Sequence, residues 1–392
     1  MTAELPVVRL SSRGVRRLRT GHPWIFRDDV ADASQARHGD LVRLAGPGGH
    51  EAGYAFHSAR SKIALRIVAG PGPVPDEGFW AARVADAREH RRRVVSDTDA
   101  WRVVFGEADG IPGLVADRYG DHLVVQVLTA ATERLLPVLL EALSDDPGLP
   151  PPASILARND PSVRTLEGLP REVHALRGTP PERIEVREGP IRYSVDPWHG
   201  QKTGAFLDQR ENRAAAAGWC RGRVLDVFCY QGLFALHAAR AGAEVEGIDA
   251  SEGALAAARA HADANGLTVA FTAGNAFDLL RARQEAGEAY DAVILDPPAF
   301  AKSRADLPAA LRGYKEINLR ALRLLRPGGV LLTSSCSYHL SEPDLLAVVG
   351  AAAADAGCGL RVVDRRMQSR DHPVRAGFPE SHYLKCLILT RD

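Results

Sequence analysis

Two patterns of apolar positions divide the chain. Residues 1–70 contain short runs in which apolar and polar positions alternate, such as Leu41 to Ala45, and glycine-rich turns separate these runs. Alternation with a period of two is typical of strands that are buried on one face, so this region predicts a small β-barrel. From about residue 185, apolar runs of strand length alternate with longer runs of helical period. That alternation predicts a doubly wound α/β sheet with helices on both faces.

The region between these patterns combines both kinds of element. A Pro/Gly-rich linker, residues 70–75, precedes a helical pattern over residues 79–95. Residues 101–129 have the pattern of a strand, a turn-rich loop and a hairpin, and residues 132–144 have that of an amphipathic helix. We therefore predict three domains: a β-barrel over 1–75, an α+β domain over 76–185 and an α/β domain over 186–392.

The α/β region predicts a mixed sheet of seven strands. We expect its last two strands, residues 361–367 and 383–390, to form an antiparallel pair. Residues 321–329 have the pattern of a helix end that Gly328 and Gly329 stop. The other predicted strands are residues 223–228, 244–249, 269–275, 289–298 and 329–336.

Composition narrows the class of protein. Apolar residues make up 45% and charged residues 25% of the chain, which is usual for a globular protein, and no apolar run approaches the roughly 20 residues of a membrane span. Residues 1–10 lack the pattern of a signal peptide, and the five cysteines form no CxxC pair. We expect a cytoplasmic protein with reduced thiols, no membrane segment and no metal site.

Charge excludes a strongly basic protein that coats nucleic acid, because 49 basic residues balance 49 acidic ones. The first 75 residues are locally basic, with eleven Lys/Arg against six Asp/Glu, a net of +5. Four arginines between Arg13 and Arg19 can contact phosphates. We interpret a second run, Arg88 to Arg93, as a solvated helix face.

Ligands of doubly wound sheets bind at the carboxyl ends of the strands, so the residues there are the candidate site. The first strand of the α/β region ends at Asp226 to Phe228, and its loop contains Tyr230 and a single glycine, Gly232. The glycine set that binds a pyrophosphate is missing, which disfavours a dinucleotide. A plain strand-to-helix turn remains an alternative for this loop.

The next two strands end in residues suited to an adenosine. Asp249 follows the second strand, where a carboxylate can accept hydrogen bonds from ribose hydroxyls. Its alternative role is a helix cap, but Ser251 is also a good cap, which leaves Asp249 for a ligand. Asn275 follows the third strand and can pair with an adenine edge, with Phe277 as an apolar wall.

The fourth strand ends at Asp296, Pro297, Pro298 and then Phe300. Two prolines make a rigid lip that fixes the carboxylate at the sheet edge, where it suits recognition of a base edge. The fifth strand ends at Cys336, and we expect it to neighbour the fourth. A thiolate that adds to carbon 6 of a pyrimidine makes carbon 5 nucleophilic, which is covalent catalysis. A small buried cysteine is the alternative.

Several motifs give the chain a resemblance to a known family. They are Gly21 to Phe26 (GHPWIF), Glu107 to Leu114 (EADGIPGL), Gln201 to Arg210 (QKTGAFLDQR), Asp296 to Phe300 (DPPAF), Ser334 to Ser337 (SSCS), Asp371 to Pro373 (DHP) and Tyr383 to Lys385 (YLK). In these motifs, over nearly its whole length, the chain resembles the bacterial 23S ribosomal RNA 5-methylcytosine methyltransferases with an N-terminal PUA domain. The resemblance implies a class I, Rossmann-like methyltransferase domain, preceded by a PUA domain and a middle domain that present RNA.

The resemblance also implies roles for individual residues. Cys336 matches the nucleophile, and Asp296 matches its acidic partner at the base edge. The implied substrate contacts are Arg16, Arg17, Pro297, Pro298 and Phe300. The implied S-adenosyl-L-methionine site consists of Lys202, Phe206, Gln209, Asp226, Phe228, Tyr230, Gly232, Asp249, Ala250, Asn275, Ala276 and Asp296.

Two other functions stay open at this point. A related family methylates a guanine nitrogen of the same RNA, shares the KTGxFLDQR-like and DPPxF segments, and needs no cysteine. The second is an RNA-binding factor that keeps the fold without catalysis. The sequence leaves open the target nucleotide, the base that removes the carbon-5 proton, and whether free 23S RNA or a large-subunit precursor is the substrate. It also leaves open whether the chain is a monomer or a homodimer.

Overall fold

The structure, a computed structural model, describes residues 4–301 and 303–392. These residues form two units. The first unit contains residues up to Val186 together with Val195–Leu207 and Arg370–Ser381, and the second contains Arg187–Ser194, Asp208–Ser369 and His382–Asp392. Neither unit is one continuous segment, because the chain passes between them several times. The domain boundaries at residues 75 and 185 therefore stay predictions.

The N-terminal part of the first unit is a six-stranded sheet with the spatial order β2-β6-β5-β4-β1-β3. Its alternating apolar positions, Val42 and Leu44 among them, fill a common core, as the sequence pattern predicted. The strands are β1 (Val7–Leu10), β2 (Trp24–Phe26), β3 (Val30–Asp32), β4 (Leu41–Ala45), β5 (Glu51–His57) and β6 (Ile63–Ala69).

A five-stranded sheet with the order β11-β10-β9-β8-β7 follows in the first unit. Helices α2 (Glu77–Val94) and α3 (Ala130–Ser144) bury Trp80, Val84 and Leu139 against it. Both helices and the hairpin confirm the pattern of the sequence. The strands are β7 (Ala100–Phe105), β8 (Leu114–Tyr119), β9 (His122–Val127), β10 (Ser154–Asn159) and β11 (Glu172–Arg177), and a separate pair is β12 (Ile184–Glu188) with β13 (Ile191–Val195).

The second unit contains the predicted mixed sheet of seven strands, in the order β16-β15-β14-β17-β18-β20-β19. The first five strands in this order are parallel, and β20 pairs antiparallel with both β18 and β19, as expected. The strands are β14 (Arg223–Val227), β15 (Glu244–Asp249), β16 (Val269–Ala273), β17 (Tyr290–Leu295), β18 (Leu325–Ser335), β19 (Leu360–Met367) and β20 (Lys385–Arg391).

Helices cover both faces of this sheet. On one side, which we call the α9 face, Tyr314 and Ile317 pack with Leu295 and Leu331. On the other, the α5 face, Ala216 and Phe234 pack with Val224 and Ile294. The helices outside the five-stranded sheet are α1 (Ser12–Arg19), α4 (Val163–Leu166), α5 (Arg210–Trp219), α6 (Leu233–Arg240), α7 (Glu252–Ala264), α8 (Ala276–Glu285), α9 (Leu307–Leu324) and α10 (Glu342–Ala356).

One local expectation was wrong, and one helix was not predicted. The helix α9 ends at Leu324, and Gly328 and Gly329 lie inside β18 rather than stopping the helix. The pairing of β17 with β18 shifts register between Tyr290 and Ala292, so these glycines are accommodated at an irregular point of the strand. The basic run from Arg13 onward forms α1, which Ser11 caps by accepting a hydrogen bond from the Gly14 N–H.

No helix among the described residues is both long and apolar enough to cross a membrane.

Candidate active site

The register of the parallel strands brings the predicted carboxylates and the cysteine to one edge of the seven-stranded sheet. Side chains alternate between the two faces along each strand. Val224 and Ile294 belong to the α5 face, so Asp226 and Asp296, each two positions on, are directed to the same side. Leu295 is opposite Thr333 in the pairing of β17 with β18. Cys336 therefore follows a strand that neighbours the strand before Asp296, as predicted.

Asp226 is fully buried at this edge. Its Oδ2 accepts a hydrogen bond from the Ala235 N–H at 3.0 Å, in the first turn of α6. Its Oδ1 has no hydrogen-bond partner among the residues that the structure describes. Burial raises the pKa of Asp226 well above its ordinary value, and the negative charges of Asp296 and Asp249 raise it further. Asp249 and Asp296 therefore both lie near Asp226.

The loop after β14 is held in an unusual conformation. Phe228 and Tyr230 have φ values of +64° and +48°, in the left-handed region that side chains other than glycine rarely adopt. Lys202, another predicted site residue, has a φ of +54°. Only four such residues occur in the described chain, and three of them belong to the predicted cofactor site.

A glycine is required where this loop enters α6. Gly232 has a φ of +77°, and a Cβ placed on it would lie 3.0 Å from both Ala258 and Phe271. The nearby Cys229 is buried, and its Sγ would be 3.0 Å from a Cβ at Gly247. Cys229 therefore fills space in the packing.

Ser251, rather than Asp249, caps α7 by accepting a hydrogen bond from the Ala254 N–H, as expected. However, Asp249 Oδ2 accepts from the Tyr230 N–H at 2.9 Å, and its Oδ1 accepts from the Ser251 N–H at 2.8 Å. A carboxylate oxygen can accept more than one hydrogen bond, so Asp249 can fix the loop and still bind ribose hydroxyls. Ala250 is exposed beside it.

Asn275 caps α8, a role that the sequence did not predict. Its Oδ1 accepts from the Phe277 N–H at 2.9 Å and the Asp278 N–H at 3.4 Å. The cap occupies the side-chain oxygen, so the amide N–H donors are the groups that can reach an adenine nitrogen. Ala276 is buried at the first position of the helix.

Gln209 and Asp296, both predicted site residues, are brought into direct contact. The Gln209 Nε2 donates to the Asp296 Oδ1 at 2.8 Å. Asn212 fixes the orientation of that amide by donating from its Nδ2 to the Gln209 Oε1 at 2.6 Å. Sequence reasoning missed Asn212, although its spacing of three residues from Gln209 places both on one side of a helical turn.

The residues after Leu295, which include the two prolines of the predicted lip, are neither helix nor strand. Pro297 is buried and Pro298 is exposed. Phe300 is half-buried, and its ring centroid lies 4.7 Å from that of Tyr314 in α9. It also contacts Phe228 and Phe277 at 6.5 and 6.3 Å, so these aromatic residues form one cluster.

Cys336 lies directly after β18 and is half-buried, whereas Cys220 and Cys386 are packed in the apolar core of the α5 face. Burial raises the pKa of both packed thiols to about 12. Cys336 thus differs from the core cysteines in being at the sheet edge and accessible.

The first unit contains the predicted residues Lys202 and Phe206, while Gln209 belongs to the second. The Lys202 Nζ lies 4.5 Å above the Phe206 ring, a cation–π contact. Their part in a cofactor site stays a prediction.

The predicted phosphate contacts divide into two kinds. Arg16 is exposed on α1. Arg17 donates from its Nε to the buried Asp29 Oδ2 at 2.9 Å and lies over the Phe26 ring, and Arg13 contacts the same carboxylate. Arg17 is therefore engaged in a structural ion pair, and Arg16 is the better candidate for a phosphate contact.

The interpretation of the second arginine run as a solvated face was wrong for two of its members. Arg88 and Arg91 are buried. Arg91 forms a bidentate pair with Asp109 at 2.6 and 2.8 Å and donates to the Asp371 carbonyl at 2.7 Å. Arg88 donates to the Ala142 carbonyl at 2.7 Å. These arginines link α2 to the five-stranded sheet and to the DHP motif.

A second buried network holds the KTG motif in the first unit. Arg102 donates two hydrogen bonds of 2.8 Å to Asp117. Thr203 donates to the same carboxylate and contacts the Tyr119 hydroxyl at 2.9 Å. Asp371 joins the two networks by accepting from the Arg102 N–H at 3.0 Å. The EADG, KTG and DHP motifs of the first unit therefore have a structural role, because each contributes a residue to these buried networks.

Comparison with known families identifies the chain. Residues 8–69 match the PUA-like domain, and residues 170–381, more than half of the chain, match the S-adenosylmethionine-dependent methyltransferases. The chain belongs to the S-adenosylmethionine-dependent methyltransferase family. Its cofactor is S-adenosylmethionine.

Similar proteins are known for the whole length of this methyltransferase. Ribosomal RNA large subunit methyltransferase I of Shewanella denitrificans is 38% identical over 97% of this chain and 98% of its own. The protein of the same name from Aeromonas hydrophila is 39% identical over 94% of this chain and 95% of its own. A solved SAM-dependent methyltransferase from Streptococcus mutans superimposes with a TM-score of 0.83 at 20% identity, over 98% of this chain and 99% of its own, which shows the shared fold.

The residues at the sheet edge of this methyltransferase fit its cofactor. S-adenosylmethionine carries a positive sulfonium, which suits a site lined by the neighbouring carboxyl groups of Asp226, Asp249 and Asp296. A single glycine at Gly232 suffices, because no pyrophosphate has to be bound. Asp226 Oδ1, buried and without a hydrogen bond among the described residues, can accept one from a ligand.

Proposed function

We propose that the chain methylates carbon 5 of a cytosine in 23S ribosomal RNA through a covalent bond between Cys336 and carbon 6. The full-length relatives at 38 and 39% identity are named as methyltransferases of large-subunit ribosomal RNA, which supports this substrate. The observation that carries the chemistry is the placement of Cys336 and Asp296 after two neighbouring parallel strands. A base-nitrogen methyltransferase has no use for a thiol at this edge.

Carbon 5 of cytosine is a poor nucleophile, and the thiolate overcomes this. The Cys336 sulfur adds to carbon 6, and its electron pair becomes the new S–C bond. The double bond between carbons 5 and 6 shifts to carbons 4 and 5, and N3 takes a proton that Asp296 donates. Carbon 5 then accepts a methyl group, which S-adenosylmethionine supplies. The carbon-5 proton is lost to solvent, and the electron pair of that C–H bond restores the double bond between carbons 5 and 6. The thiolate leaves with the electron pair of the S–C bond, and the N3 proton returns to Asp296.

Gln209 orients the Asp296 carboxyl group, which donates the proton to N3 in this proposal. Its Nε2 donor occupies the Oδ1 of Asp296, and Asn212 prevents the amide from turning around. The carboxyl is thereby held in one orientation beside Pro297, so its direction does not have to be fixed again in each reaction cycle.

The cofactor is held by the residues around the first three parallel strands. Asp249 binds the ribose hydroxyls, the Asn275 amide binds the adenine edge, and the Phe228 to Gly232 loop approaches the cofactor with its backbone. Asp226 binds the positively charged end of the molecule. Lys202 and Phe206 also belong to this site in the proposal.

The PUA-like domain binds the RNA in this proposal, with Arg16 as a phosphate contact. The domains are residues 1–75, 76–185 and 186–392, and the last of them is catalytic. The net charge of +5 in the first 75 residues supports a contact with RNA there.

Replacement of the nucleophile tests the proposal. Purified Cys336→Ala and wild-type proteins are given 23S RNA from cells that lack the gene, and the methylated nucleoside is identified by mass spectrometry. The wild type should form 5-methylcytidine, and Cys336→Ala should lose at least about 1,000-fold in rate while binding S-adenosylmethionine normally. Cys358→Ala, which removes another half-buried thiol, should keep full activity.

Two results would contradict the proposal. A Cys336→Ala protein that retains most of its activity and forms a nitrogen-methylated guanosine would identify the related guanine chemistry instead. A wild type that binds S-adenosylmethionine but methylates neither naked 23S RNA nor large-subunit precursors would indicate a non-catalytic RNA-binding factor.

A further inference from the structure

The YLK motif supplies a buried cation next to the proposed nucleophile. Lys385 begins β20, opposite Ser335 in the pairing with β18, and it is only 2% exposed. Its Nζ donates to the Ser337 carbonyl at 2.7 Å and to the Tyr383 carbonyl at 2.9 Å. It forms no ion pair with any carboxylate of the described residues. Its two acceptors are neutral, which is costly for a buried ammonium group.

The groups around Lys385 come from four elements. The segment after β18 contributes Cys336, and α10 contributes Asp344, and both favour the charged form of the lysine. The helix α9 contributes the Tyr314 hydroxyl, which contacts the Ser337 hydroxyl at 3.0 Å; burial raises the pKa of Tyr314, and the charge of Cys336 raises it further. On β19 the residue opposite Lys385 is the uncharged Met367.

Burial lowers the pKa of Lys385 to about 8, while Cys336 and Asp344 oppose this shift. The lysine is therefore still mostly an ammonium ion at neutral pH. Because Nζ bonds to Ser337, the residue directly after Cys336, the positive charge is fixed in position relative to the thiol rather than carried on a mobile surface chain.

We propose that Lys385 is a positioning residue that stabilises the thiolate of Cys336 and holds the segment after β18 in place. This inference rests on the proposed function, since a thiolate matters only if Cys336 adds to the base. The thiol proton goes to water, and the thiolate is then stabilised by the positive charge of Lys385, which hydrogen bonds to the Ser337 and Tyr383 carbonyls hold in place. A nearby cation is the usual means by which a protein activates a cysteine.

The experiment measures thiolate formation directly. The rate of alkylation of Cys336 by iodoacetamide is followed from pH 5 to 10 by peptide mass spectrometry, in the wild type, Lys385→Gln and Lys385→Arg. Glutamine keeps an N–H donor for the two carbonyls and removes only the charge. Cys358, beside the opposite end of β20, is the internal reference, because its neighbour Leu360 pairs with Arg391.

We expect Lys385→Gln to move the pH profile of Cys336 upward and to slow alkylation at pH 7 by about 10-fold or more. Lys385→Arg should restore most of the profile, and Lys315→Met, which removes a lysine paired with Asp355 on the surface, should leave it unchanged. A purely structural role for Lys385 would reduce stability without moving the profile.

A wild-type measurement covers the case in which the variants do not fold. Cys336 of the native protein should reach half of its maximal alkylation rate at least one pH unit below Cys336 of the protein unfolded in urea. An equal or higher native midpoint, or an unshifted Lys385→Gln profile, would overturn the inference. A lysine-dependent shift with full methylation by Cys336→Ala would instead retain the coupling and contradict the proposed function.

Discussion

Buried charge is treated in opposite ways in the first unit and at the strand ends of the second unit. In the first unit, the buried Arg102 and Arg91 each form a bidentate pair with an aspartate inside a connected network. At the strand ends of the second unit, the buried Asp226 forms no ion pair with a described residue, and neither does Lys385. A buried ion pair stabilises the fold once it has formed. A buried ionisable group without an ion-pair partner lowers stability, so its presence indicates a functional role.

This difference separates the motifs of the sequence by function. The EADG, KTG and DHP motifs contribute Asp109, Thr203 and Asp371 to the paired networks. The DPPAF and YLK motifs contribute Asp296 and Lys385 to the strand ends. A motif whose charged residue is held in a buried network therefore stabilises the fold. A motif whose charged residue lies at a strand end outside such a network is a candidate for a role in the reaction.

The largest effect on stability should come from breaking a paired network in the first unit. Arg102→Met leaves Asp117 buried without its cation and should lower the free energy of unfolding by about 3–5 kcal/mol. Urea unfolding followed by tryptophan fluorescence measures this. Arg361→Met removes an exposed pair with Asp392 and should change little. Equal midpoints for the two variants would mean that the buried network is not stabilising.

A paired network in the second unit should show its effect in acid. Burial alone would raise the pKa of Glu188, but Arg213 and His237 lower it to about 2. The folded pKa lies below the unfolded one, so the contribution of Glu188 is present above about pH 4.5 and is lost as the pH falls toward 2.

Glu188→Gln should therefore lower the free energy of unfolding at pH 7 by about 3 kcal/mol and flatten its fall between pH 4.5 and 2. Unfolding in urea across this pH range measures both changes. An unchanged acid profile would contradict the assignment.

Removal of the Asp226 charge should change the free energy of unfolding in the opposite direction to removal of the Glu188 charge. The folded pKa of Asp226 is raised, so its charge costs stability above that pKa, and the cost disappears as the pH falls through it. Asp226→Asn should raise the free energy of unfolding at pH 7, by on the order of 1 kcal/mol per unit of pKa shift, and should weaken S-adenosylmethionine binding.

The matched substitution Asp291→Asn affects a carboxylate whose pKa is lowered by hydrogen bonds from the Arg326 side chain and the Arg223 N–H. It should destabilise the protein and leave cofactor binding unchanged. Calorimetric titration with S-adenosylmethionine, together with thermal unfolding, compares the two variants. A destabilised Asp226→Asn with normal cofactor affinity would reverse the interpretation of Asp226 as a ligand-binding group.

The smallest effect should be on RNA binding. Arg16→Ala removes an exposed guanidinium of α1 and should weaken RNA binding by a few-fold while lowering the slope of log K against log salt by about 1. Arg93→Ala, which removes an exposed arginine paired with Glu89 on α2, should leave the slope unchanged. Filter binding at several salt concentrations measures both, and identical slopes for wild type and Arg16→Ala would contradict a phosphate contact.

The sequence was sufficient to predict the elements whose patterns are local. Strand-to-helix alternation predicted the seven-stranded sheet and its antiparallel closing pair, and the parallel neighbours β17 and β18 followed from it. The helix α1 was missed because its arginines hide the apolar positions Val15 and Leu18. Gly328 and Gly329 were misread because glycine marks both helix ends and strand irregularities.

The sequence was sufficient to predict which residues belong to the candidate site, but not which hydrogen bonds and ion pairs they form. Strand ends point to Asp226, Asp249 and Asp296 by position alone. The cap made by Asn275, the Asn212 contact with Gln209 and the pairing of Arg17 with Asp29 depend on which side chains meet in space. The pattern of residues along the chain does not predict which side chains come into contact, so these three contacts could be identified only from the structure.

Trapping the covalent intermediate tests the central claim most directly. RNA that contains 5-fluorocytidine lacks the carbon-5 proton whose loss releases the enzyme, so a thiolate that has added to carbon 6 stays attached after methyl transfer. With S-adenosylmethionine, the wild type should form a complex with this RNA that resists denaturation, joined at the peptide of Cys336, and Cys336→Ala should form none. Release of all RNA from an active wild type, or a complex joined at another residue, would contradict the account.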